Sequence, residues 1–103
     1  MVGPKNPFKK TKNLAGTVDV TGEWVDFEYG PETPEFLAIG CPASSINPLL
    51  WTFTVDVAGN PTAFWEVAAG FHVEIFHFSE QTQQIYMKGS GGDAKYQMLA
   101  IFH

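Results

Sequence analysis

One short stretch of the sequence, FHVEIFHF at residues 71–78, concentrates side chains that could do chemistry. On an extended strand, side chains two positions apart share a face, so His72 and Glu74 point one way and His77 the other. A bound metal needs three or four converging ligands, and a third would have to come from His103 or a distant carboxylate. We interpret the stretch as an edge or surface strand with a His–Glu pair, and we expect no metal and no cofactor.

The single cysteine, Cys41, lies in a predicted loop, GCPASSINP at residues 40–48. A lone cysteine forms no internal disulfide, and a thiol nucleophile would need a histidine base that no surrounding motif places beside it. A small buried thiol is the commoner role, with an intermolecular disulfide as the alternative. We therefore expect no thiol chemistry.

Two further features resemble catalytic elements only superficially. The segment GSGGD at residues 89–93 lacks the Lys-Ser/Thr pair and the helix of a phosphate-binding loop, and the tip of a hairpin explains it better. Eleven acidic residues make some close carboxylate pair unavoidable, so their presence does not argue for glycosidase chemistry. The sequence predicts that the protein is not an enzyme.

Charge is divided unevenly along the chain. Four lysines (Lys5, Lys9, Lys10 and Lys12) give the first twelve residues a charge of +4, and the remainder carries −9. Arginine, which dominates the bidentate reading of guanine and phosphate, is absent from the sequence. We expect no sequence-specific binding to nucleic acid. The sequence also shows no secretory signal and no apolar run that would span a membrane, which predicts cytoplasmic synthesis.

From residue 14 onward, turn signals separate short apolar runs, and no window has a helical period. Thr21 and Gly22 are predicted to turn a hairpin in which Val18 faces Val25. In LLWTFTVDV, Trp51, Phe53 and Val55 alternate with polar residues, which predicts one buried face. About eight strands follow from these patterns: residues 17–20, 23–29, 36–39, 49–57, 62–67, 71–78, 84–88 and 94–103.

Short strands at this spacing, without helices between them, predict an all-β fold. We expect a single small β-sandwich, jelly-roll or Greek-key like, or a barrel of about eight strands. Residues 14–103 would form this body, and residues 1–13 an extended basic N-terminal arm. The order of the strands is left open by the sequence.

Several large apolar residues point outward when the alternating positions are assigned to the core. Three explanations stand: both faces of some strands are buried beneath a loop, the residues form a subunit interface, or they form a platform for sugars. The predicted outward residues are Trp24, Leu37, Leu50, Phe64 and either Phe71 or the pair Phe76 and Phe78.

The predicted arm contains Pro4, Asn6 and Pro7 and little apolar material besides Phe8. Such a segment cannot join a helix, so its order would depend on an external template. Phe8 can serve as an anchor in a pocket, and the four lysines can pair with the acidic body of a neighbouring copy. We expect interface roles for Lys5, Phe8, Lys9, Lys10, Lys12, Trp24 and Phe64.

These observations favour a structural protein of a symmetric homo-oligomer, tied to its neighbours by the arm and contacting a second structural protein. Small virion proteins, such as capsid decoration or minor capsid proteins, share this general plan at the level of architecture alone. The alternative is a small binding module that recognises carbohydrate or acts as an acidic inhibitor of a host protein.

Overall fold

A computed structural model describes residues 10–26, 34–76 and 84–102 of the chain. These residues form eight β-strands in two antiparallel sheets of four strands each, and they contain no helix. The prediction of a small all-β sandwich is therefore confirmed. The strands are β1 (Lys10–Val18), β2 (Glu23–Asp26), β3 (Phe36–Cys41), β4 (Leu49–Thr52), β5 (Trp65–Val67), β6 (Phe71–Ile75), β7 (Gln84–Gly89) and β8 (Ala94–Phe102).

Sheet A has the strand order β1-β8-β3-β6, and sheet B has the order β2-β7-β4-β5. The first strand pairs with the last, the second with the second-last, and so on inward: β1 with β8, β2 with β7, β3 with β6 and β4 with β5. The chain is thus one long hairpin wound into two layers. The strands β1, β6, β2 and β5 lie at the sheet edges.

The predicted hairpin between residues 17–20 and 23–29 is wrong, because β1 and β2 belong to different sheets. The first strand begins at Lys10 and not at Thr17, and it pairs along its whole length with β8, from Lys10 opposite Phe102 to Val18 opposite Ala94. This long ladder offers many more backbone hydrogen bonds than a four-residue hairpin. Residues 10–13 therefore lie in the sheet.

Thr21 and Gly22 do form a sharp turn, but it carries the chain from sheet A to sheet B. The Asp19 carboxylate accepts hydrogen bonds from the backbone amides of Thr21 at 2.9 Å and Gly22 at 3.1 Å, and Gly22 has a φ of 80°. Glycine adopts this left-handed conformation without steric cost. The hydroxyl of Tyr86, on β7, donates to the Thr21 carbonyl and fastens the turn to sheet B.

The Asp19 turn is expected to lose its stabilising effect in acid. The Thr21 hydroxyl, followed by the amides of Gly22 and Thr21, lowers the pKa of Asp19 below its ordinary value. A carboxyl whose pKa is lower in the folded state stabilises that state above the unfolded pKa of about 3.9, and this contribution disappears as the pH falls through the folded pKa. Asp19→Asn should therefore weaken the protein in urea unfolding at pH 7 and match the parent near pH 2. An equal difference at both pH values would contradict this role.

The core lies between the two sheets and draws on every strand of sheet A except its edge strand β6, together with all four strands of sheet B. Leu37, Ile39 and Phe102 from sheet A are completely buried, as are Leu49, Ile85 and Met87 from sheet B. Leu37 had been predicted to point outward. The run FLAI has no polar residue to reveal its inner face, and Phe36 and Ala38 occupy the outer side instead.

Strand β4 ends at Thr52, so the predicted strand over residues 49–57 is too long. Trp51 is buried as expected, Phe53 is half-buried against it at 5.6 Å between ring centroids, and Val55 is exposed. Residues 53–63 instead form a small finger closed by a bridge between Val55 and Pro61. The Asp56 carboxylate accepts hydrogen bonds from the amides of Ala58 and Asn60 at the tip.

Candidate assembly surfaces

The seven predicted interface residues fall into two groups: five belong to the predicted N-terminal arm, and Trp24 and Phe64 belong to the body. Lys5, Phe8 and Lys9 lie outside the described residues, and Lys10 begins β1. Lys12 lies within β1 and is half-buried, on the inward side of an edge strand. Edge strands that carry an inward-pointing charge resist pairing with foreign strands. Lys12 is therefore part of the sheet and not of a free arm.

The structure brings Trp24 and Phe64 together on the outer face of sheet B. Tyr86 lies between them, with its ring 5.3 Å from the Trp24 ring and 6.0 Å from the Phe64 ring. The ammonium group of Lys88 lies 4.3 Å above the Phe64 ring, at a distance suited to a cation–π interaction. The hydroxyl of Thr52 donates to the Thr62 carbonyl and holds the finger over this face.

The two predicted outward residues on this face differ in exposure. Phe64 is half-buried and contacts Tyr86 and Lys88, whereas Trp24 remains 39% exposed. Sequence reasoning did not single out Tyr86 or Lys88. The alternation of QIYMK would have placed both of them on the face opposite Ile85 and Met87.

A second apolar surface, the β5–β6 flank, lies where the edge strand of each sheet meets the other along one side of the sandwich. We define it by Trp65 and Phe71, which are 66% and 67% exposed. The two strands are joined by a short turn in which the Gly70 amide donates to the Cys41 carbonyl at 2.7 Å. Two aromatic side chains that are more than half exposed on neighbouring edge strands form a candidate contact surface.

The outer face of sheet A carries an open trough of 570 Å³. Its lining includes the small residues Ala15 on β1 and Ala38 and Gly40 on β3, with β8 between these two strands. The side chains of Gln97 and His72 flank Gly40, since a methyl group at that glycine would lie 3.4 Å from Gln97 Cγ and 3.5 Å from His72 Cβ. Further lining residues include Asn13, Pro42, Phe71 and Leu99.

His72 and Glu74 share a face of β6, as predicted, with 3.2 Å between His72 Nε2 and Glu74 Oε2. Both side chains are exposed, and β6 is an edge strand, so the interpretation as a surface His–Glu pair is confirmed. His77 and His103 lie outside the described residues. Within residues 10–26, 34–76 and 84–102, no group of three or more His, Cys, Asp or Glu side chains is placed to hold a metal ion.

Cys41 is buried at the end of β3, in agreement with the expected structural thiol. Its Sγ lies 3.7 Å from the Asn47 carbonyl oxygen, to which the thiol is placed to donate. The same carbonyl accepts a hydrogen bond from the Ser45 hydroxyl at 2.7 Å. The cysteine thus belongs to the packing of the β3–β4 loop against the sandwich.

No protein-family model matches the chain, and no curated protein matches it. Among solved structures, the fold is similar to a chain from work titled "Bacillus endospore appendages form a novel family of disulfide-linked pili". That match has a TM-score of 0.48 and 9% sequence identity, and it covers 99% of this chain and 96% of the other. Similarity at this level carries no argument about function. In the part of the chain that the structure describes, no helix is long and apolar enough to cross a membrane.

Proposed function

We propose that this protein is a non-enzymatic structural subunit of a symmetric assembly, joined to its neighbours by apolar contacts and by its N-terminal residues. The observation that carries the proposal is the β5–β6 flank. Isolated exposed apolar residues are ordinary on a monomer, but Trp65 and Phe71 stand on two neighbouring edge strands. Aromatic residues are enriched at protein–protein interfaces, so a second copy is the occupant that we assign to this surface.

The wound-hairpin pairing of the strands supports the proposal at the level of architecture. The first strand pairs with the last and each inner pair follows in turn, and we take this nested pairing as that of an eight-stranded jelly roll. Viral capsid proteins use this arrangement, although lectins and cupins use it too. A capsid decoration or minor capsid protein is the kind of virion subunit that we propose, with a second structural protein as the surface it decorates.

The start of β1 supports a tethering role for the preceding residues. Read backward from Lys10, the strand points past the end of sheet A, beyond Phe102. Nine residues that continued in this direction would extend up to about 30 Å from the body. Phe8 and two lysines, Lys5 and Lys9, would then be within reach of a neighbouring copy.

Light scattering on the full chain tests the assembly. We expect an oligomer, and we expect deletion of residues 1–9, which leaves β1 intact, to weaken or abolish it. An anchoring aromatic contributes about 2 kcal/mol or more and an exposed ion pair about 0–1 kcal/mol, so Phe8→Ala should weaken assembly more than Lys5→Ala or Lys9→Ala. Added salt should reduce only the lysine contribution. A monomeric full chain, or a deletion that assembles as well as the parent, would contradict the proposal.

The flank is tested separately with Trp65→Lys. Its control is Ile46→Lys, which places the same charge on an exposed apolar position of the β3–β4 loop, away from the flank. We expect Trp65→Lys to dissociate the oligomer and Ile46→Lys to leave it intact. Equal behaviour of the two variants would show that the flank is not a subunit contact.

A carbohydrate-binding module is the second candidate, and the exposed part of Trp24 beside Tyr86 favours it. Aromatic rings on a sheet face can stack against sugar rings. A monomer that binds glycans, and loses that binding in Trp24→Ala, would replace the structural proposal. Retention of the oligomer in Trp24→Ala, without any glycan binding by the parent, would support the structural proposal.

A further inference from the structure

We propose that the trough on the outer face of sheet A binds residues 4–8 of a second copy, so that each subunit is both donor and acceptor of an N-terminal segment. This inference rests on the proposed assembly and names the surface that receives the arm. The sequence of the segment is PKNPF, which begins with the pattern Pro-x-x-Pro. Neither the trough nor this pattern has a role in the body of the subunit described above.

The segment has the chemistry of an extended peptide ligand. Proline fixes φ near −65°, and two prolines at a spacing of three favour the polyproline II conformation, which loses little entropy on binding. Proteins recognise Pro-x-x-Pro segments in shallow grooves lined by aromatic and polar side chains. Phe8, directly after Pro7, adds an apolar anchor to such a ligand.

The trough supplies the complementary groups. Pro42 and Leu99 offer apolar surface for proline rings and for Phe8, and the small residues at Ala38 and Gly40 leave room for the incoming chain. A polyproline II segment makes no internal hydrogen bonds, so its backbone groups need external partners. The amide side chain of Gln97 lies beside Gly40, where it can donate to a peptide carbonyl and accept from a peptide amide.

Charge favours the same occupant. Glu74 lies next to His72 on β6, with its side chain 46% exposed on the outer face of sheet A. Lys5 lies inside the Pro-x-x-Pro pattern, and Lys9 follows Phe8. An extended segment in the trough would therefore carry a lysine within reach of a carboxylate.

The direction of the chain favours a second copy over the subunit's own arm. The trough lies in the middle of sheet A, where Ala15 pairs with Gln97 and Gln97 with Gly40. Strand β1 begins at Lys10, five positions from Ala15 in the direction away from the trough, and residues 4–8 precede it in the sequence. To fill its own trough the chain would have to reverse within a few residues, whereas a neighbour is reached by direct continuation.

Photo-crosslinking of the full chain tests where the segment binds. Phe8 is replaced by p-benzoylphenylalanine, and a mixture of isotope-labelled and unlabelled copies is irradiated and analysed by mass spectrometry. We expect crosslinks between copies to residues that line the trough, such as Leu99, Gln97 or His72. Crosslinks to sheet B, or only within one copy, would overturn this inference while leaving the assembly itself standing. A chain that light scattering shows to be monomeric would overturn both.

Paired variants give an independent readout. Glu74→Lys removes the proposed lysine partner, and Glu23→Lys makes the same charge change at an exposed position of β2, the edge strand of sheet B opposite β5. We expect Glu74→Lys to raise the concentration for half-assembly about threefold to tenfold at low salt, and Glu23→Lys to change it less than about twofold.

Gly40→Val fills the trough at a position where a Cβ meets only ordinary van der Waals contacts. We expect a loss of assembly of about tenfold or more, with unfolding in urea unchanged or slightly strengthened. Assembly equal to the parent in both Gly40→Val and Glu74→Lys would show that the trough is empty in the oligomer.

Discussion

Phe102→Ala is expected to lower the free energy of unfolding by about 3–5 kcal/mol, the range for deleting a large side chain from a packed core. Phe102 is completely buried and is among the largest side chains in the core. A small single domain is stable by about 5–15 kcal/mol, so this change removes a large share of the total. Its backbone lies opposite Lys10, so the loss also weakens the start of β1.

Phe53→Ala is the matched control. Phe53 is half-buried beyond the end of β4 and packs edge-on against Trp51. We expect a loss of about 1–2 kcal/mol, because part of the ring already contacts water. Urea unfolding of both variants at one protein concentration gives the comparison, since assembly would make stability depend on concentration. A larger loss of stability for Phe53→Ala than for Phe102→Ala would contradict the assignment of Phe102 to the centre of the core and of Phe53 to its margin.

Phe53 also shows why the sequence alone predicts too long a strand β4. Trp51, Phe53 and Val55 alternate perfectly with polar residues, and that alternation correctly predicts a strand only as far as Thr52. Beyond it, Asp56 and Gly59 form a turn, with the Gly59 amide donating to the Asp56 carbonyl at 2.9 Å. The hydrogen bonds of a turn can end a strand despite continued alternation of apolar and polar residues, when no neighbouring strand is available for pairing.

The missed half of β1 has a different cause. Lys10 and Lys12 gave this segment the composition of a basic tail, and no apolar alternation marks residues 10–13. Its strand structure comes from pairing with the far end of the chain, at Ala100 and Phe102. Such a contact between distant parts of the sequence leaves no local pattern, which is also why the strand order was left open.

The candidate surfaces were predictable to unequal degrees. Trp24 and Phe64 were identified because a single strand's alternation decides which face they occupy. The trough was not identified, because it depends on Ala15 of β1 coming close to Ala38 and Gly40 of β3 across the intervening strand β8. Small residues at matching positions become a feature only when the pairing of the strands is known.

Gly89→Ala is expected to cost about 3 kcal/mol or more, or to prevent folding. A Cβ at Gly89 would overlap the Gly92 carbonyl oxygen and lie 2.9 Å from the carbonyl carbon. The obstacle is backbone, so no side-chain rotation relieves it, and the β7–β8 turn would have to open. The Gly89 amide donates to the Asp19 carbonyl at 2.8 Å, so the movement would also disturb the turn between the sheets.

Substitutions at two other glycines distinguish the cost of a steric clash from the cost of an unfavourable backbone conformation. Gly91 has open space around it but a φ of 81°, so Gly91→Ala should cost about 1 kcal/mol from conformation alone. Gly40 has neither problem, and Gly40→Ala should be neutral or stabilising by up to about 1 kcal/mol. Urea unfolding should rank the losses as Gly89, then Gly91, then Gly40. A small loss of stability in Gly89→Ala would contradict the role of the tight β7–β8 turn in closing this end of the sandwich. The Asp19 turn would then hold the two sheets together without the β7–β8 turn.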